Sequence, residues 1–275
     1  MPNILVSSQW LHKHQDDPKL IILDAHLPSN VTKIDSEIED LQIKNARLFD
    51  IKNKFSDEYN SLPNTIPSKK DFETSGRSLG INKDSIIVVY DQIGIYTSPR
   101  VWWMFKAMGH QKVYILNGGL PDWIDEGFET ENKQTRNYPL GNFKALFNRK
   151  NVKNWKQVLE NLKTHSFTVI DARSSGRFKG IQPEPREGLR SGCIPNSKNL
   201  PFTEVIKDGK FKSVEDLKNI FNQLKVEDKD LVFSCGSGIT ACIILVASEL
   251  ISENNTAVYD GSWTDWGQNH QLPIQ

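Results

Sequence analysis

Short apolar runs alternate with segments of helical periodicity along the whole chain. In the first half, three apolar runs are typical of buried strands. They lie at residues 20–24, 85–90 and 112–116. A helix is predicted over residues 98–108, because Pro99 suits its first turn and Gly109 follows its end.

The second half repeats this alternation. Its predicted strands lie at residues 168–171, 230–234 and 257–259, and its predicted helices at residues 152–162, 214–224 and 239–250. Strands that alternate with helices are typical of parallel sheets, because each crossover helix returns the chain to the same edge. The sequence therefore predicts an α/β fold in which each parallel sheet carries helices on both faces.

The chain contains this pattern twice, at an offset of about 145 residues. Ile22-Leu23-Asp24-Ala25 matches Val169-Ile170-Asp171-Ala172, and the run that ends at Asp91 matches the run that ends at Cys235. A period of this length is too long for a solenoid and indicates a duplicated domain. We predict one domain at residues 1–138 and a second at residues 139–275, joined by the polar stretch 131–141.

Composition narrows the class of protein. Hydrophobic residues make up 37% of the 275 residues and charged residues 25%, which indicates a packed core. The formal net charge of zero disfavours nucleic-acid binding, and no apolar run is long enough for a membrane span. Three cysteines and the absence of a signal-like leader predict a reducing compartment, the cytoplasm. No His or Cys spacing suggests a metal, so we expect neither a metal nor another cofactor.

Cys235 is the strongest candidate for chemistry. It follows an apolar strand and precedes a glycine-spaced loop and a helix, so loop N–H groups and the helix dipole favour a thiolate there. The alternative is a buried structural thiol. Core packing is expected for Cys242, and Cys193 lies in a loop, where we expect a structural role even if it is exposed. Asp91, the counterpart of Cys235, is expected to cap its own loop.

Paired domains with a cysteine loop only in the second resemble the two-domain sulfurtransferases of the rhodanese superfamily. The loop Cys235-Gly236-Ser237-Gly238-Ile239-Thr240 is similar to the branch that uses mercaptopyruvate; the thiosulfate branch has a basic loop. Further similar stretches are Gly176-Arg177-Phe178, Glu184-Pro185-Arg186 and Tyr259-Asp260-Gly261-Ser262-Trp263. The resemblance covers nearly the whole chain.

The resemblance implies a mechanism and a set of site residues. Cys235 would attack the sulfur of mercaptopyruvate, release pyruvate, and pass the persulfide sulfur to cyanide, a thiol or a thioredoxin-like acceptor. Arg177 and Arg186 would hold the carboxylate and keto oxygen, and Ser237 would take part in catalysis. The loop residues implied to line the substrate are Gly236, Gly238, Ile239 and Thr240. Two alternatives stay open: the arginines are simply solvated or pair with Glu184 and Glu187, and Ser237 only shapes the loop or caps the helix.

The sequence departs from the family pattern at several positions. An Asp that the family places after a Phe-Asp-Ile stretch is Lys52 here, and residues 59–63 lack the expected His. A Ser-His-Asp proton relay is therefore not expected. The family's His-Ile-Pro-Gly signature is Cys193-Ile194-Pro195-Asn196, and its first-domain copy is Gln42-Ile43-Lys44-Asn45.

Three other functions compete with mercaptopyruvate sulfur transfer. Thiosulfate transfer has the same fold, but the loop offers a dianion no positive charge. A cysteine phosphatase requires an arginine that closes the loop, and Thr240 and Ala241 are neutral, which excludes it. A slow persulfide carrier or protein-binding module stays open because the Asp and His positions are lost.

Overall fold

Two five-stranded parallel sheets organise the chain, one formed by each half. The structure is a computed structural model and describes residues 4–27, 38–226 and 229–275. The fold class predicted from the alternating pattern is confirmed.

The first half contributes seven strands and four helices among the described residues. The strands are β1 (Leu5–Val6), β2 (Leu20–Asp24), β3 (Leu41–Ile43), β4 (Arg47–Leu48), β5 (Ile86–Tyr90), β6 (Val113–Leu116) and β7 (Thr130–Asn132). The helices are α1 (Ser8–His14), α2 (Lys69–Ser78), α3 (Ser98–Ala107) and α4 (Gly119–Asp125).

The second half contributes another seven strands and five helices within the part of the chain that the structure describes. The strands are β8 (Val152–Lys153), β9 (Phe167–Asp171), β10 (Lys198–Asn199), β11 (Ile206–Lys207), β12 (Lys210–Phe211), β13 (Asp230–Ser234) and β14 (Thr256–Tyr259). The helices are α5 (Trp155–Thr164), α6 (Ser175–Phe178), α7 (Val214–Leu224), α8 (Ala241–Glu249) and α9 (Ser262–Gln268).

The two sheets have the same topology. Their strand orders are β1-β6-β5-β2-β4 and, in the second half, β8-β14-β13-β9-β10. The central pairs also share their register, since Leu20 lies beside Ile86 and Phe167 beside Asp230. The duplication inferred from the sequence is therefore present in three dimensions, and the loops after β5 and β13 occupy equivalent positions.

Most of the predicted elements are present, with one clear correction. The helix predicted from residue 152 begins only at Trp155, because Val152–Lys153 forms an edge strand beside Val258 and Tyr259. Asn154 then caps the helix, with Gln157 completing a capping box. Val152, the apolar residue two positions before the cap Asn154, therefore belongs to the sheet and not to the helix.

The predicted linker is partly structured. Thr130–Asn132 pairs with Leu41–Ile43 as a small antiparallel sheet, so residues 131 and 132 belong to the first half. Beyond it, Phe143 and Ala145 are buried in the apolar core, and the Phe143 amide donates to the Ile81 carbonyl. The boundary at residue 138 stays a prediction, and these contacts would favour one nearer Asn148.

The two halves share a core. Helix α3 packs on α8, and Trp103 and Phe105 of α3 lie in the same buried apolar cluster as Ile243 and Leu245 of α8. Because α8 follows the loop after β13, that loop lies where the halves meet. None of the helices in the described ranges is long and apolar enough to cross a bilayer.

Candidate active site

A cleft of about 760 Å³ opens at the carboxyl end of β13, between the two halves. The first half contributes residues 56–58 and 60–64 and Tyr96 to its walls. Seven of the residues predicted from the sequence line it: Arg177, Arg186, Cys235, Gly236, Ser237, Ile239 and Thr240. Gly238 belongs to the same loop but does not line the cleft; its backbone N–H contacts the cysteine sulfur. The structure therefore brings the predicted residues together in one place.

Cys235 lies at the floor of the cleft, with 2% of its surface exposed. Its Sγ accepts a hydrogen bond from the Gly238 N–H at 3.1 Å. Its own N–H donates to Ser262 Oγ at 3.1 Å, and its carbonyl accepts from the Trp263 N–H at 2.9 Å. A donor aimed at sulfur favours the negatively charged form, so this geometry suits a nucleophilic thiolate.

Gly238 occupies a position that a larger residue would strain. Its φ is +82°, and an added Cβ would lie 3.0 Å from the Asp260 carbonyl oxygen and 3.1 Å from Arg100 Nη1. Glycine adopts this conformation without steric cost. The tight packing behind Gly238 keeps its N–H directed at the Cys235 sulfur.

The loop after β5 provides an internal comparison. There Asp91 takes the place of Cys235, and its carboxylate accepts the N–H groups of Tyr96 at 2.9 Å, Thr97 at 2.7 Å and Ser98 at 2.8 Å. Burial raises the pKa of Asp91, and the hydrogen bonds from Ser98, Tyr96 and Thr97 oppose that rise. Asp91 therefore caps its loop, as expected, and shows that this loop geometry directs N–H groups at an anion.

The space beside Asp91 is much smaller than the cleft beside Cys235. The cavity next to Asp91 measures about 10 Å³. Gly94, in the same loop, lies against Gly209 of the β11–β12 hairpin. Asp91 therefore faces almost no open space, whereas the loop of Cys235 faces an open cleft.

Arg177 is held by an ion pair on the cleft wall. Its Nη2 lies 2.6 Å from Glu184 Oε2, and Glu184 also pairs with the buried Arg173 at 2.8 Å. Burial raises the pKa of Asp171, the second partner of Arg173, and the Arg173 guanidinium opposes that rise. The pairing alternative for Arg177 is thus observed. The ion pair leaves Arg177 N–H groups for a substrate, because a guanidinium carries five donors.

Arg186 has a different environment. It is exposed, and its Nη1 donates to Thr264 Oγ1 at 2.9 Å. Thr264 Oγ1 in turn donates to the Gly236 carbonyl at 2.7 Å. Within the described residues Arg186 makes no ion pair, so the predicted pairing with Glu184 or Glu187 is not observed. Its charge is available to an anion in the cleft.

Ser237 does not contact a histidine. Its Oγ accepts a hydrogen bond from Asn64 Nδ2 at 3.1 Å. Lys52, at the position of the family's Asp, lines the same cleft, and no histidine is among the described residues that line it. The loop shape and the Asn64 contact, not a helix cap, determine where Ser237 lies, because α8 begins at Ala241.

Ile239 and Thr240 complete the loop. Ile239 is 6% exposed and packs into the shared core while its edge faces the cleft. Thr240 precedes α8, and its side chain makes no capping hydrogen bond there. Its hydroxyl therefore stands at the cleft surface without a role in holding the helix.

The two other cysteines are buried and structural. Cys242 is fully buried, and burial raises the pKa of its thiol to about 12. Its Sγ contacts the Gly238 carbonyl at 3.4 Å. Cys193 is also buried, so the possible exposure is wrong; its N–H donates to the Gln275 carbonyl at 2.9 Å and the Gln275 N–H donates back at 3.0 Å.

The sequence did not identify a second layer of residues behind the loop. Arg100 of α3 is fully buried and donates to Asp260 Oδ1 at 2.7 Å, to the Asn64 carbonyl at 2.6 Å and to the Gly238 carbonyl at 3.3 Å. Asp260 belongs to the stretch 259–263, which resembles the family. That resemblance is the one signal in the sequence that could have identified this group of residues. Across the described ranges no group of His, Cys, Asp and Glu side chains is arranged to hold a metal ion.

Comparisons with known proteins identify the family of this chain. The family model described as Rhodanese-like domain matches residues 7–126 and 154–269. The chain is 38% identical over 272 residues to 3-mercaptopyruvate sulfurtransferase of Mus musculus, covering 95% of this chain and 91% of that protein. It is 39% identical to thiosulfate sulfurtransferase of Rattus norvegicus, with the same two coverages of 95% and 91%. The solved structure of a 3-mercaptopyruvate sulfotransferase, SseA of Escherichia coli, superposes with a TM-score of 0.84 at 35% identity and covers 95% of this chain and 99% of that chain.

Proposed function

The chain belongs to the rhodanese-like family as a two-domain sulfurtransferase, and we propose that it moves sulfur from 3-mercaptopyruvate to a thiol through a persulfide on Cys235. One observation carries the assignment of the nucleophile. The Cys235 sulfur receives the Gly238 N–H at the floor of a cleft whose walls carry Arg177 and Arg186. An anionic donor is bound by the arginines while its sulfur meets the thiolate.

The first half-reaction balances without a cofactor. The Cys235 thiolate forms a new S–S bond to the donor sulfur as the S–C3 bond breaks, and the electron pair of that bond passes to the pyruvate enolate. The proton of the donor thiol ends on C3, so the products are the Cys235 persulfide anion and pyruvate. An acceptor thiolate then attacks the outer sulfur, and Cys235 leaves as a thiolate again.

Two features favour a keto acid over thiosulfate as the donor. The loop residues Gly236, Ser237 and Gly238 carry no charge, whereas Arg186 offers one free guanidinium that suits one carboxylate. Thiosulfate remains the second candidate because relatives with that name match equally well and Lys52 adds a positive charge to the cleft wall. Overall identity does not separate the two donors.

The acceptor and the compartment are parts of the same proposal. Cys235 is buried, so an acceptor thiol has to enter the cleft to reach the persulfide. A small thiol or a thioredoxin-like protein with a protruding cysteine fits this requirement. Three free cysteines favour a reducing compartment, for which we propose the cytoplasm.

The test is pyruvate release from 3-mercaptopyruvate with a thiol present, alongside thiocyanate formation from thiosulfate and cyanide. We expect a strong preference for mercaptopyruvate, a gain of one sulfur on Cys235 by mass spectrometry, and loss of both signals in Cys235→Ser. Cys193→Ser, a buried cysteine away from the cleft, is the matched control and should retain turnover. Normal turnover by Cys235→Ser would overturn the mechanism, and sulfur gain without turnover of either donor would indicate a carrier.

A further inference from the structure

The catalytic loop is held from the first half of the chain by Asn64. The contact joins residues 173 positions apart, Asn64 Nδ2 and Ser237 Oγ, at 3.1 Å. We propose that Asn64 is a positioning residue for sulfur transfer that acts through Ser237. The proposal rests on the proposed function and assigns a part of the reaction to the half that lacks a nucleophile.

The direction of this hydrogen bond determines where the serine proton lies. An amide nitrogen only donates, so Asn64 occupies an oxygen lone pair of Ser237 and leaves the hydroxyl proton unused. Elsewhere in the described chain, the Ser237 side chain has no other hydrogen-bond partner. Ser237 and Cys235 line the same cleft. The serine proton is therefore available to a donor molecule or to the sulfur.

The backbone around Asn64 is anchored by Arg100 of the first half and by Asp260 of the second half, and these contacts fix the direction of its side chain. The Asn64 carbonyl accepts from Arg100 Nη2 at 2.6 Å, and the Ile66 N–H donates to Asp260 Oδ2 at 2.8 Å. Asn64 itself has a φ of 61°, a left-handed conformation that asparagine tolerates better than most residues. The side chain is thus presented to Ser237 from a rigid turn.

This arrangement suits the proton transfer that the reaction requires. As the S–C3 bond of the donor breaks, its electron pair needs a proton at C3. Ser237 gives its hydroxyl proton to C3 and regains one from the S–H of the new persulfide, so no proton is gained or lost. Asn64 stabilises the negative charge that develops on Ser237 Oγ by donating to it, and it takes no proton itself.

A double-mutant cycle tests the proposal. Asn64→Gly removes the side chain and keeps the left-handed backbone, so the carbonyl bonded to Arg100 stays in place. We expect kcat for pyruvate release to fall about 3- to 10-fold, the range of one neutral hydrogen bond, with KM unchanged. In a Ser237→Ala background the same change should have no further effect. Asn45→Gly, at a φ of 64° and away from the cleft, is the matched control and should leave kcat unchanged.

A second variant separates hydrogen-bond donation from shape. Asn64→Asp preserves the size of the side chain but only accepts hydrogen bonds at neutral pH, so it would capture the Ser237 proton. We expect it to lower kcat at least as much as Asn64→Gly. Full activity of Asn64→Asp, or an equal loss from Asn64→Gly with and without Ser237, would assign Asn64 a purely structural role and overturn the proposal.

Failure of the proposed function can be recognised separately. The rate of Cys235 alkylation by iodoacetamide, followed by mass spectrometry of the labelled peptide, requires no sulfur donor. We expect Asn64→Gly to slow it about 3- to 10-fold only when Ser237 is present, because Asn64 holds Ser237 with its unused proton in the cleft, where the hydroxyl can turn to donate to the thiolate. If the wild type releases no pyruvate but shows this pattern, the donor assignment fails and the Asn64 inference holds. An unchanged alkylation rate would overturn the inference.

Discussion

Arg186 and Arg177 are the same residue type in one cleft, yet their contacts differ. Arg177 shares the buried carboxylate of Glu184 with Arg173, whereas Arg186, among the residues that the structure describes, donates to the Thr264 hydroxyl and makes no ion pair. A guanidinium without a carboxylate partner gains most from a bound anion. At the residue scale, Arg186 should therefore contribute more to donor binding than Arg177.

We expect Arg186→Ala to raise the KM for mercaptopyruvate about 10- to 100-fold, the range of a hydrogen bond to a charged group, with a smaller effect on kcat. The melting temperature should change little because Arg186 is exposed. Steady-state kinetics of pyruvate release measure this. Arg149→Ala, another exposed arginine far from the cleft, should leave KM unchanged; an equal rise in both variants would point to a general charge effect.

The sequence identified the residues whose role depends on local context and missed those that act across the chain. Cys235 could be predicted because its strand, its glycines and its helix are consecutive. Asn64 contacts Ser237 from 173 residues away, and Arg100 contacts Gly238 from 138 residues away. No local sequence pattern could therefore predict either contact. Likewise, Asn45 and Asn196 stand where the family signature has glycine, and both adopt the left-handed conformation that glycine favours, with φ of 64° and 62°.

At the scale of elements, the two equivalent loops show what the strand-loop-helix unit does by itself. One presents its N–H groups to the Asp91 carboxylate, and the other presents an N–H to the Cys235 sulfur. The unit thus directs N–H groups at its first side chain, an arrangement that suits the structural cap of Asp91 and the nucleophile that we propose at Cys235.

Asp91→Ala should therefore reduce stability and leave activity unchanged. Removal of the carboxylate leaves three buried N–H groups without their acceptor, which should cost roughly 3 kcal/mol or more in the free energy of unfolding. Urea unfolding followed by circular dichroism measures the loss. The surface change Asp230→Ala should cost less than about 0.5 kcal/mol. A loss of kcat in the folded Asp91→Ala protein would contradict the assignment of Asp91 as a structural cap.

The elements that the sequence predicted correctly are those whose own residues carry a recognisable pattern. Five-residue apolar strands such as Leu20–Asp24 and Asp230–Ser234 were predicted residue for residue, because burial on both faces leaves a continuous apolar run. Two-residue edge strands such as Leu5–Val6 and Val152–Lys153 were missed, because they are defined by pairing to a distant strand. Their sequences differ little from loops.

At the scale of the whole molecule, one buried guanidinium ties the halves together. Arg100 belongs to α3 of the first half, stacks 4.4 Å from the ring of Trp103, and pairs with Asp260 at the end of the second-half sheet. It also donates to the carbonyl of Gly238, whose N–H reaches the Cys235 sulfur. The interface between the halves and the loop of Cys235 are therefore held by the same side chain.

Arg100→Gln should destabilise the whole protein and not one half alone. It leaves Asp260 buried without a cation, for which we expect a loss of about 3–5 kcal/mol in the free energy of unfolding. Because the core is shared, urea unfolding should remain a single transition, moved to lower denaturant, when followed by tryptophan fluorescence and circular dichroism. Lys19→Gln, which breaks a 3.2 Å surface pair with Asp84, should cost less than about 1 kcal/mol.

The double variant Arg100→Gln/Asp260→Asn distinguishes an unpaired charge from a general packing defect. It leaves no buried charge without a partner, so it should recover part of the stability that Arg100→Gln loses. Arg100→Gln should also slow the alkylation of Cys235 by iodoacetamide, because the hydrogen bond from the guanidinium to the Gly238 carbonyl is lost, and the double variant should not recover this rate. Stability and alkylation that recover together would mean that Arg100 supports the loop only by holding the halves in place.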